Sequence, residues 1–224
     1  MMRTTRGMFV GTVALIAAAL IYVATEAIAA AAWHSPGYSY LRNYVSDLGV
    51  TGPRETFLGH NIYSPLAVVM NAGFVLNGCL LLLGMILIVR FRSHARAKAL
   101  WVLAFLFAVG IGLVGLFHGS LLSQEAGTLA FHFLGAPIAI VSGNVLAILI
   151  GLSFREFHTG PWFRVVPMVL GVVGILALGA EILVIGVDPS FPSGIFERVA
   201  VYTVLAFQLL WGVTVLIRKI RPRL

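Results

Sequence analysis

Six apolar runs, each long enough to cross the hydrocarbon core of a bilayer, divide this chain. A membrane helix needs about 20 predominantly apolar residues, because each residue adds about 1.5 Å of length. Backbone polar groups find no water in the bilayer core, so such runs fold there as helices. The predicted spans cover approximately residues 8–31, 65–89, 99–117, 128–152, 165–187 and 196–217. We therefore predict an all-α integral membrane bundle of six transmembrane helices, forming a single transmembrane domain over residues 1–224.

The composition agrees with this fold class and excludes a soluble domain. Of the 224 residues, 60% are hydrophobic and 10% are charged, and the mean hydropathy is +1.00. Soluble globular domains of this size are far less apolar. The single cysteine, Cys79, lies inside the second predicted span, which excludes both an intramolecular disulfide and a cysteine metal cluster.

The first apolar run has a second interpretation. Arg3 and Arg6 precede a stretch that reaches Ala27-Ile28-Ala29, and a cleaved secretory signal shows the same pattern. The apolar stretch is longer than the usual signal core of about 7–15 residues. We therefore predict that it is retained as the first span.

The basic residues predict the orientation of the bundle, because cytoplasmic loops of membrane proteins carry an excess of Lys and Arg. All Lys and Arg residues except Arg42, Arg54 and Arg198 fall at the inner end of the predicted spans. These inner residues are Arg3, Arg6, Arg90, Arg92, Arg96, Lys98, Arg155, Arg164, Arg218, Lys219, Arg221 and Arg223. Both termini are therefore predicted to be cytoplasmic. The net charge of +7 indicates topology and attraction to anionic lipid heads, and nucleic-acid binding is not predicted.

The longest polar segment between spans covers residues 33–64, which we name the outer cap. Ser35-Pro36 is a typical helix start, since serine caps free N–H groups and proline suits the first helical position. Apolar and tyrosine side chains then recur at helical spacing from Tyr38 to Leu48, which predicts a short amphipathic helix in the membrane interface. Residues 53–57 predict a second short helix after a turn.

Three amide side chains, Asn77, Asn144 and Gln208, are predicted at one depth near the middle of the membrane. Counting about 1.5 Å per residue from the inner ends places each roughly 15–18 Å into the bilayer. We predict that they meet and lock the bundle, each contact contributing about 1 kcal/mol. The alternative is that they line a polar path or bind a ligand headgroup. The absence of charged residues at that depth in the sequence argues against a proton relay or an ion pump.

Titratable and polar residues gather on the predicted outer side. The candidates for a catalytic role are Ser46, Asp47, His132 and Glu181, because such groups act as nucleophiles, acids and bases. Glu181 lies inside a span, where a carboxylate is costly unless it is paired, and Arg198 is its predicted partner. The candidate contacts to a lipid or another ligand are Tyr38, Arg42, Tyr44, Asp47, His132 and Arg198.

Histidines on the same side raise the question of a metal site. Imidazole suits zinc, and His118 and His132 are the candidates for it. The sequence contains none of the spacings H-x-x-E-H, H-E-x-x-H and H-x-x-x-H, and it lacks the G-x-S-x-G element of serine hydrolases. We therefore predict neither a metal nor a cofactor, and we assign no residue a catalytic role.

One motif resembles a known family. The pattern Tyr38-x-x-Leu41-Arg42-x-x-x-Ser46-Asp47-Leu48-Gly49 after the first span, with His132-x-x-Gly135 early in the fourth, resembles the bacterial membrane family called domain of unknown function 998. That family is distantly similar to the six-helix Frag, DRAM and Sfk proteins, which carry a comparable Ser-Asp-x-Gly element. The resemblance covers most of the chain and implies a six-helix fold with Arg42, Ser46, Asp47 and His132 as site residues. It implies no activity, because the family has no settled one, and Phe117-His118-Gly119 departs from the proline and acid of its pattern.

The sequence thus favours a non-catalytic multi-span membrane protein, either binding lipid or serving as an accessory subunit of a larger envelope complex. Arginine-rich and alanine-rich usage indicates a bacterial source, and hence the bacterial plasma membrane. The alternatives are a membrane enzyme acting on a lipid or lipid-linked substrate at the outer face, and a small transporter. The expected partners are membrane lipids and other membrane protein chains.

Overall fold

The computed structural model of the protein describes residues 6–57, 59–89, 95–157, 159–187 and 191–220, with the backbone alone at 95 and 218–220. The elements are α1 (Arg6–Ala32), a 3-10 helix (Ser46–Gly49), β1 (Glu55–Phe57), β2 (His60–Ile62), α2 (Ala67–Ile88), α3 (Ala95–Leu116), α4 (Leu121–Glu125), α5 (Leu129–Leu152), α6 (Trp162–Val187) and α7 (Gly194–Ile220). All of these α-helices except α4 are long and apolar enough to cross a membrane. The predicted all-α membrane fold with six spanning helices is therefore confirmed.

The helix ends follow the predicted spans to within a few residues. The largest difference is at α3, which begins at Ala95 rather than near residue 99. The added turn contains Arg96 and Lys98, which hydropathy assigns to a loop. Long basic side chains can continue a helix past the hydrocarbon because their charged ends reach the headgroups.

The six long helices form a closed ring. Each packs on the next in the order α1, α2, α3, α5, α6, α7, and α7 returns to α1. Glycines permit the closest approaches: a Cβ on Gly110 would overlap the backbone of Gly135 and Ala139, and a Cβ on Gly84 would overlap Leu15. Small residues on helix faces allow such backbone contacts between membrane helices. Helix α5 also contacts α7, so these two helices meet although they are not consecutive in the ring.

The predicted amphipathic helix of the outer cap is not formed. Residues 34–45 run through turns and irregular backbone, and the helical geometry is limited to the single 3-10 turn at Ser46–Gly49. The Asn43 side chain accepts a hydrogen bond from the Ser39 backbone N–H (3.1 Å), and Asp47 accepts one from the Tyr44 N–H (3.0 Å). Such side-chain bonds offer the backbone an alternative to a helix.

The predicted second cap helix is also wrong. Residues 55–57 form strand β1, which pairs antiparallel with β2 so that Glu55 lies opposite Ile62. Gly59 has φ +79° in the connecting turn, a conformation that glycine adopts at little cost. The hairpin buries Phe57 and Ile62 on one side, because alternate side chains of a strand point to one face.

Part of the orientation argument lies outside the described residues. Arg3, Arg90, Arg92, Arg221 and Arg223 are not described, nor are the side chains of Arg218 and Lys219. The cytoplasmic location of both termini stays a prediction. We keep the name outer cap for residues 33–64 in that predicted sense.

Candidate functional site

The outer cap is held by the first turns of α7. The Ile195 N–H donates to the Leu41 carbonyl (3.1 Å), and the Tyr44 hydroxyl bonds to the Ser193 hydroxyl (2.7 Å). Gly194 lies directly against the carbonyls of Arg42 and Asn43, where any side chain would overlap the cap backbone. The first loop of the chain is therefore fixed by the start of the last helix.

Arg198 is the centre of this contact. Its Nη1 donates to the carbonyls of Tyr40 (2.6 Å) and Asn43 (2.7 Å), the latter 155 residues away in sequence, and its Nη2 donates to the Tyr38 hydroxyl. The guanidinium also lies over the rings of Tyr38 and Tyr40, at 5.2 and 4.9 Å from their centroids. Arginine suits this position because its planar fork presents several donors in fixed directions and stacks on aromatic rings.

The charge of Arg198 is balanced by Glu26 of α1. Arg198 Nε lies 3.3 Å from Glu26 Oε1, and the Tyr202 hydroxyl donates to Glu26 Oε2 (2.7 Å). The prediction that Arg198 pairs with Glu181 is therefore wrong. Glu26 is 2% exposed, so this carboxylate is buried with Arg198 against the cap.

Asp47 organises the other half of the cap. Its Oδ2 accepts from the Tyr44 N–H, from Asn43 Nδ2 (3.3 Å) and from His60 Nδ1 (3.1 Å). The His60 ring stacks on Tyr44, with centroids 4.5 Å apart. Asp47 thereby joins the 3-10 helix to the β-hairpin.

The phenol of Tyr44 is half-buried and lies near acidic side chains. Burial, together with the nearby charges of Glu181, Glu197 and Asp47, raises its pKa to about 12, although the hydrogen bond with Ser193 acts in the opposite direction. Burial likewise raises the pKa of Tyr38, although Arg198 opposes this. Both tyrosines are therefore neutral hydrogen-bonding groups at physiological pH.

A second polar cluster joins the cap to α2 and α3. Asn71 Nδ2 donates to the Gly49 carbonyl (2.8 Å) and to His118 Nε2 (3.1 Å), and His118 Nδ1 contacts the Thr51 hydroxyl (3.2 Å). Because Nε2 accepts, the proton of the neutral ring is on Nδ1. Burial and the neighbouring His132 lower the pKa of His118, which favours this neutral form.

His132 lies beside this cluster. Its Nδ1 contacts the Phe117 carbonyl (2.9 Å), and its ring lies against Gly119. Among the described residues, no group of three or more His, Cys, Asp or Glu side chains could hold a metal ion. The ring nitrogens of His118 are bonded to Thr51 and Asn71, so the two histidines do not present a shared pair of open ligands.

Beneath the cap, the helix ring contains a partly open cavity with a volume of about 40 Å³. Its apolar wall comes from α2, α3, α5 and α7. The apolar lining residues are Phe74, Phe107, Ile111, Val114, Ala136, Ala139, Ile140, Val201, Val204 and Leu205. Its polar lining residues are Tyr22, Ser46, Asn77 and Glu197. Ser46 places the cap at one end of the cavity, and Asn77 lies about 15 Å of helix rise from the start of α2.

The whole of this architecture, from α1 to α7, corresponds to one known family. A model of the family described as "Protein of unknown function (DUF998)" matches residues 15–214. The chain belongs to DUF998. No curated protein and no solved structure matches the chain. The match confirms the family inferred from the sequence motif, whereas the distant similarity to Frag, DRAM and Sfk proteins stays a prediction.

The chain resembles DUF998 through the element Ser46-Asp47-Leu48-Gly49. Each residue of this element has a different structural role. Ser46 lines the cavity, and Asp47 accepts the three hydrogen bonds described above. Leu48 is fully buried, and its carbonyl accepts from Ser64 (2.6 Å). Gly49 lies where a Cβ would overlap the Asn71 amide. The element connects the cap, the cavity and α2 in one turn.

Of the three amides predicted near the middle of the membrane of this DUF998 protein, two contact each other and the third does not. Asn77 and Gln208 exchange two hydrogen bonds (3.0 and 3.3 Å), and Asn77 also donates to the Ala18 carbonyl. Asn144 lies elsewhere: it accepts from Thr203 (2.8 Å) and donates to the Ala200 carbonyl (2.9 Å). Equal depth predicted a three-way contact, but Asn144 faces the α5–α7 contact instead of the α1–α2–α7 side.

The remaining predicted site residues have mixed placements. The Arg42 side chain is exposed, although its carbonyl takes part in the contact with Gly194. Glu181 is an electrostatic neighbour of Glu197, and its buried Oε2 has no hydrogen-bond partner among the described residues. Sequence reasoning missed the roles of Tyr22, Asn71 and Tyr202, which read as ordinary helix residues. The signal for Asn71 was available, since an amide inside an apolar run is costly unless it is paired.

Proposed function

We propose that this protein binds a membrane lipid without catalysing a reaction, taking the end of an apolar chain of that lipid into the partly open cavity beneath the outer cap. The carrying observation is the lining of the cavity, which has apolar walls and a few polar groups near the cap. Ligand sites typically combine mostly apolar walls with a few polar groups in this way.

The surroundings of the cavity favour a lipid as the occupant. Its wall is formed by helices that are apolar enough to span a membrane, so the molecules at highest concentration around it are lipid chains. Water gains little from an apolar cavity, which offers few hydrogen-bond partners. A lipid chain replaces that empty space with dispersion contacts.

The outer cap supports binding rather than catalysis. Asp47, one of the predicted catalytic candidates, accepts hydrogen bonds from Tyr44, Asn43 and His60. His132 bonds to the Phe117 carbonyl. These groups hold backbone and side chains in place, as a lid over a binding cavity requires. An accessory-subunit role, a lipid enzyme and a transporter stay the alternative predictions.

The proposal is tested by filling the cavity. Val201 lines it, whereas Val172 of α6 is 47% exposed and lines no part of it. Val201→Trp and its matched control Val172→Trp are expressed with wild type, extracted gently, and analysed by native mass spectrometry for retained lipid. We expect lipid adducts on wild type and Val172→Trp, and their loss on Val201→Trp.

Thermal unfolding of the three proteins checks that each is folded. Equal lipid retention by folded Val201→Trp and wild type would contradict the proposal. A tight complex with another protein chain, without lipid, would favour the accessory-subunit alternative instead.

A further inference from the structure

Resting on the proposed function, we infer that the lipid chain enters the cavity sideways from the membrane, through a gap between α5 and α7 at the end of the bundle that carries the outer cap. The rest of the chain then lies outside the cavity, along residues 178–187 of α6. The volume requires this second site. One bound water needs roughly 10–15 Å³, so a cavity of about 40 Å³ admits only the last few carbons of a chain.

The gap is bounded by the lining residues that keep some exposed surface. Ser46 of the cap, Ala136 of α5 and Val201 of α7 are half-buried, whereas the other lining residues are buried. Ala136 and Val201 are equally far from the first residues of their helices, Leu129 and Gly194, at roughly 10 Å along each axis. The opening therefore lies on the side of the bundle, just beneath the cap.

The other contacts between neighbouring helices are closed at this end of the bundle. A Cβ on Gly73, Gly110 or Gly115 would lie within 3.1 Å of α1, α5 and α2, respectively. Glycines allow membrane helices to approach this closely, and such contacts leave no room for a lipid chain. The contact between α1 and α7 is closed by the pair of Glu26 and Arg198.

The gap between α5 and α7 closes farther from the cap. Ile140 of α5, Ala177 of α6 and Ala200 of α7 form a buried apolar cluster. Deeper still, Asn144 of α5 accepts a hydrogen bond from Thr203 of α7 (2.8 Å). The opening between these helices is therefore limited to the part next to the cap.

The end of α6 beside this gap packs loosely on the bundle. The buried residues of α6 end at Ala177, and none of residues 178–187 is buried. A Cβ on Gly174 would overlap neighbouring side chains, whereas a Cβ on Gly179 or Gly186 would meet no described atom within 4 Å. Only 17% of the apolar stretch of α6 is buried, against 39–50% for the other five spanning helices.

The surface of this end of α6 suits an acyl chain. Its exposed large side chains are all apolar, and the Oε2 atom of its single charged residue, Glu181, is buried. The segment is about 15 Å long, which is half the thickness of the hydrocarbon core. A chain from the membrane leaflet on the cap side can therefore run along it with its head at the membrane surface, and gain dispersion contacts before its end enters the gap.

The test uses two phosphatidylcholine probes with a photoreactive diazirine on one acyl chain, near the chain end in one probe and at mid-chain in the other. The full-length protein in nanodiscs containing either probe is irradiated, and the labelled residues are identified by tandem mass spectrometry. We expect the diazirine near the chain end to label Phe107 and Ile111. Both line the cavity and are buried, so lipid outside the bundle does not reach them.

The mid-chain diazirine locates the rest of the chain. Leu183 of α6 is 71% exposed, and Leu116 of α3, the matched control, is 68% exposed and also lies near the cap. We expect several-fold more label on Leu183 than on Leu116. Equal labelling of the two would show that α6 contacts only bulk lipid, and would overturn the inferred path.

Closing the gap tests the route of entry. Ala136→Phe places a ring in the gap, whereas Val141→Phe changes an exposed position on the same helix that lines no part of the cavity. We expect Ala136→Phe to lose the label on Phe107 and Ile111, and Val141→Phe to keep it. Thermal unfolding checks that both variants are folded. The comparison of Leu183 with Leu116 uses wild type alone and carries the test if Ala136→Phe does not fold.

The outcomes separate this inference from the proposed function. If Phe107 and Ile111 are labelled equally in wild type and in folded Ala136→Phe, but not in Val201→Trp, the chain enters elsewhere. The inference is then wrong, and lipid binding in the cavity stands. If neither residue is labelled in wild type, both the inference and the proposed function are wrong.

Discussion

The protein contains two ion pairs whose surroundings are opposite. Glu26 and Arg198, under the outer cap, have side chains that are 2% and 5% exposed, and their Nε and Oε1 atoms are 3.3 Å apart. Arg96 and Glu156, at the other end of the helices, are 50% and 57% exposed and are closer, at 2.8 Å. The shorter pair is exposed, and Coulomb attraction between exposed charges is weak and screened by salt. The distance between the charged atoms alone therefore does not predict which pair contributes more to stability.

The two pairs differ in the further hydrogen bonds that their side chains form. Arg198 also donates to carbonyls of Tyr40 and Asn43 and of Gly194 in its own helix, so the buried pair connects α1, the cap and α7. Removing a charge from water is costly, and the cost is met only when the remaining donors are satisfied. A buried pair of this kind holds separate elements of the tertiary structure together, whereas the exposed pair joins two side chains at the surface.

The largest expected effect comes from breaking the buried pair. Arg198→Gln leaves Glu26 buried without its cation and frees two cap carbonyls, so we expect a loss of about 3–5 kcal/mol in the free energy of unfolding. The matched change at the exposed pair, Arg96→Gln, should cost no more than about 1 kcal/mol. Unfolding in lipid–detergent micelles measures both. Similar losses from the two variants would contradict the comparison.

A smaller effect is expected from a change that adds volume beside neutral buried contacts. A Cβ on Gly174 would overlap the Asn144 amide and the Thr203 hydroxyl, whereas a Cβ on Gly179 would meet no described atom within 4 Å. We expect Gly174→Ala to destabilise the protein by about 1–3 kcal/mol, as overpacking typically does. Gly179→Ala on the same helix should be neutral or slightly stabilising, because alanine favours helices. An unchanged free energy of unfolding in Gly174→Ala would show that the neighbouring Asn144 and Thr203 side chains can move aside without a cost in stability.

A buried but uncharged pair separates the effect of burial from that of charge. Asn77 and Gln208 are both 0% exposed and exchange two hydrogen bonds. A double-mutant cycle with Asn77→Ala and Gln208→Ala should give a coupling energy of about 1 kcal/mol, the usual size for polar pairs between membrane helices. A coupling as large as the loss in Arg198→Gln would mean that burial, and not charge, makes the cap contact strong.

The smallest effect is a pH dependence at the cap. Burial and His132 lower the pKa of His118 in the folded protein below its ordinary value of 6.5. The unfolded state then binds more protons, so the contribution of His118 is complete above about pH 6.5 and is lost as the pH falls through the lowered pKa. We expect the unfolding free energy to decrease on acidification below that range.

His118→Gln should reduce this pH dependence, while His34→Gln, on an exposed side chain, should leave it unchanged. An identical pH profile for His118→Gln and wild type would exclude His118 as a source of the effect.

The local sequence pattern was sufficient to predict the long helices of this protein. Each long helix coincides with an apolar run, because the need to bond every backbone group within the bilayer acts on each segment separately. The Ser46-Asp47-Leu48-Gly49 element also pointed to the correct family, and Asp47 and Tyr44 do lie in the cap contacts. These features are encoded within a few residues of each other.

Partner choice was decided by the tertiary structure. Arg198 pairs with Glu26 and not with Glu181, Asn144 is separated from Asn77, and the cap forms turns instead of helices. Depth along a helix can be counted from the sequence, but the direction in which a side chain faces depends on helix rotation and on which neighbours pack against it. The cavity has the same origin, since its wall combines α1, the cap, α2, α3, α5 and α7, and no single segment carries its pattern.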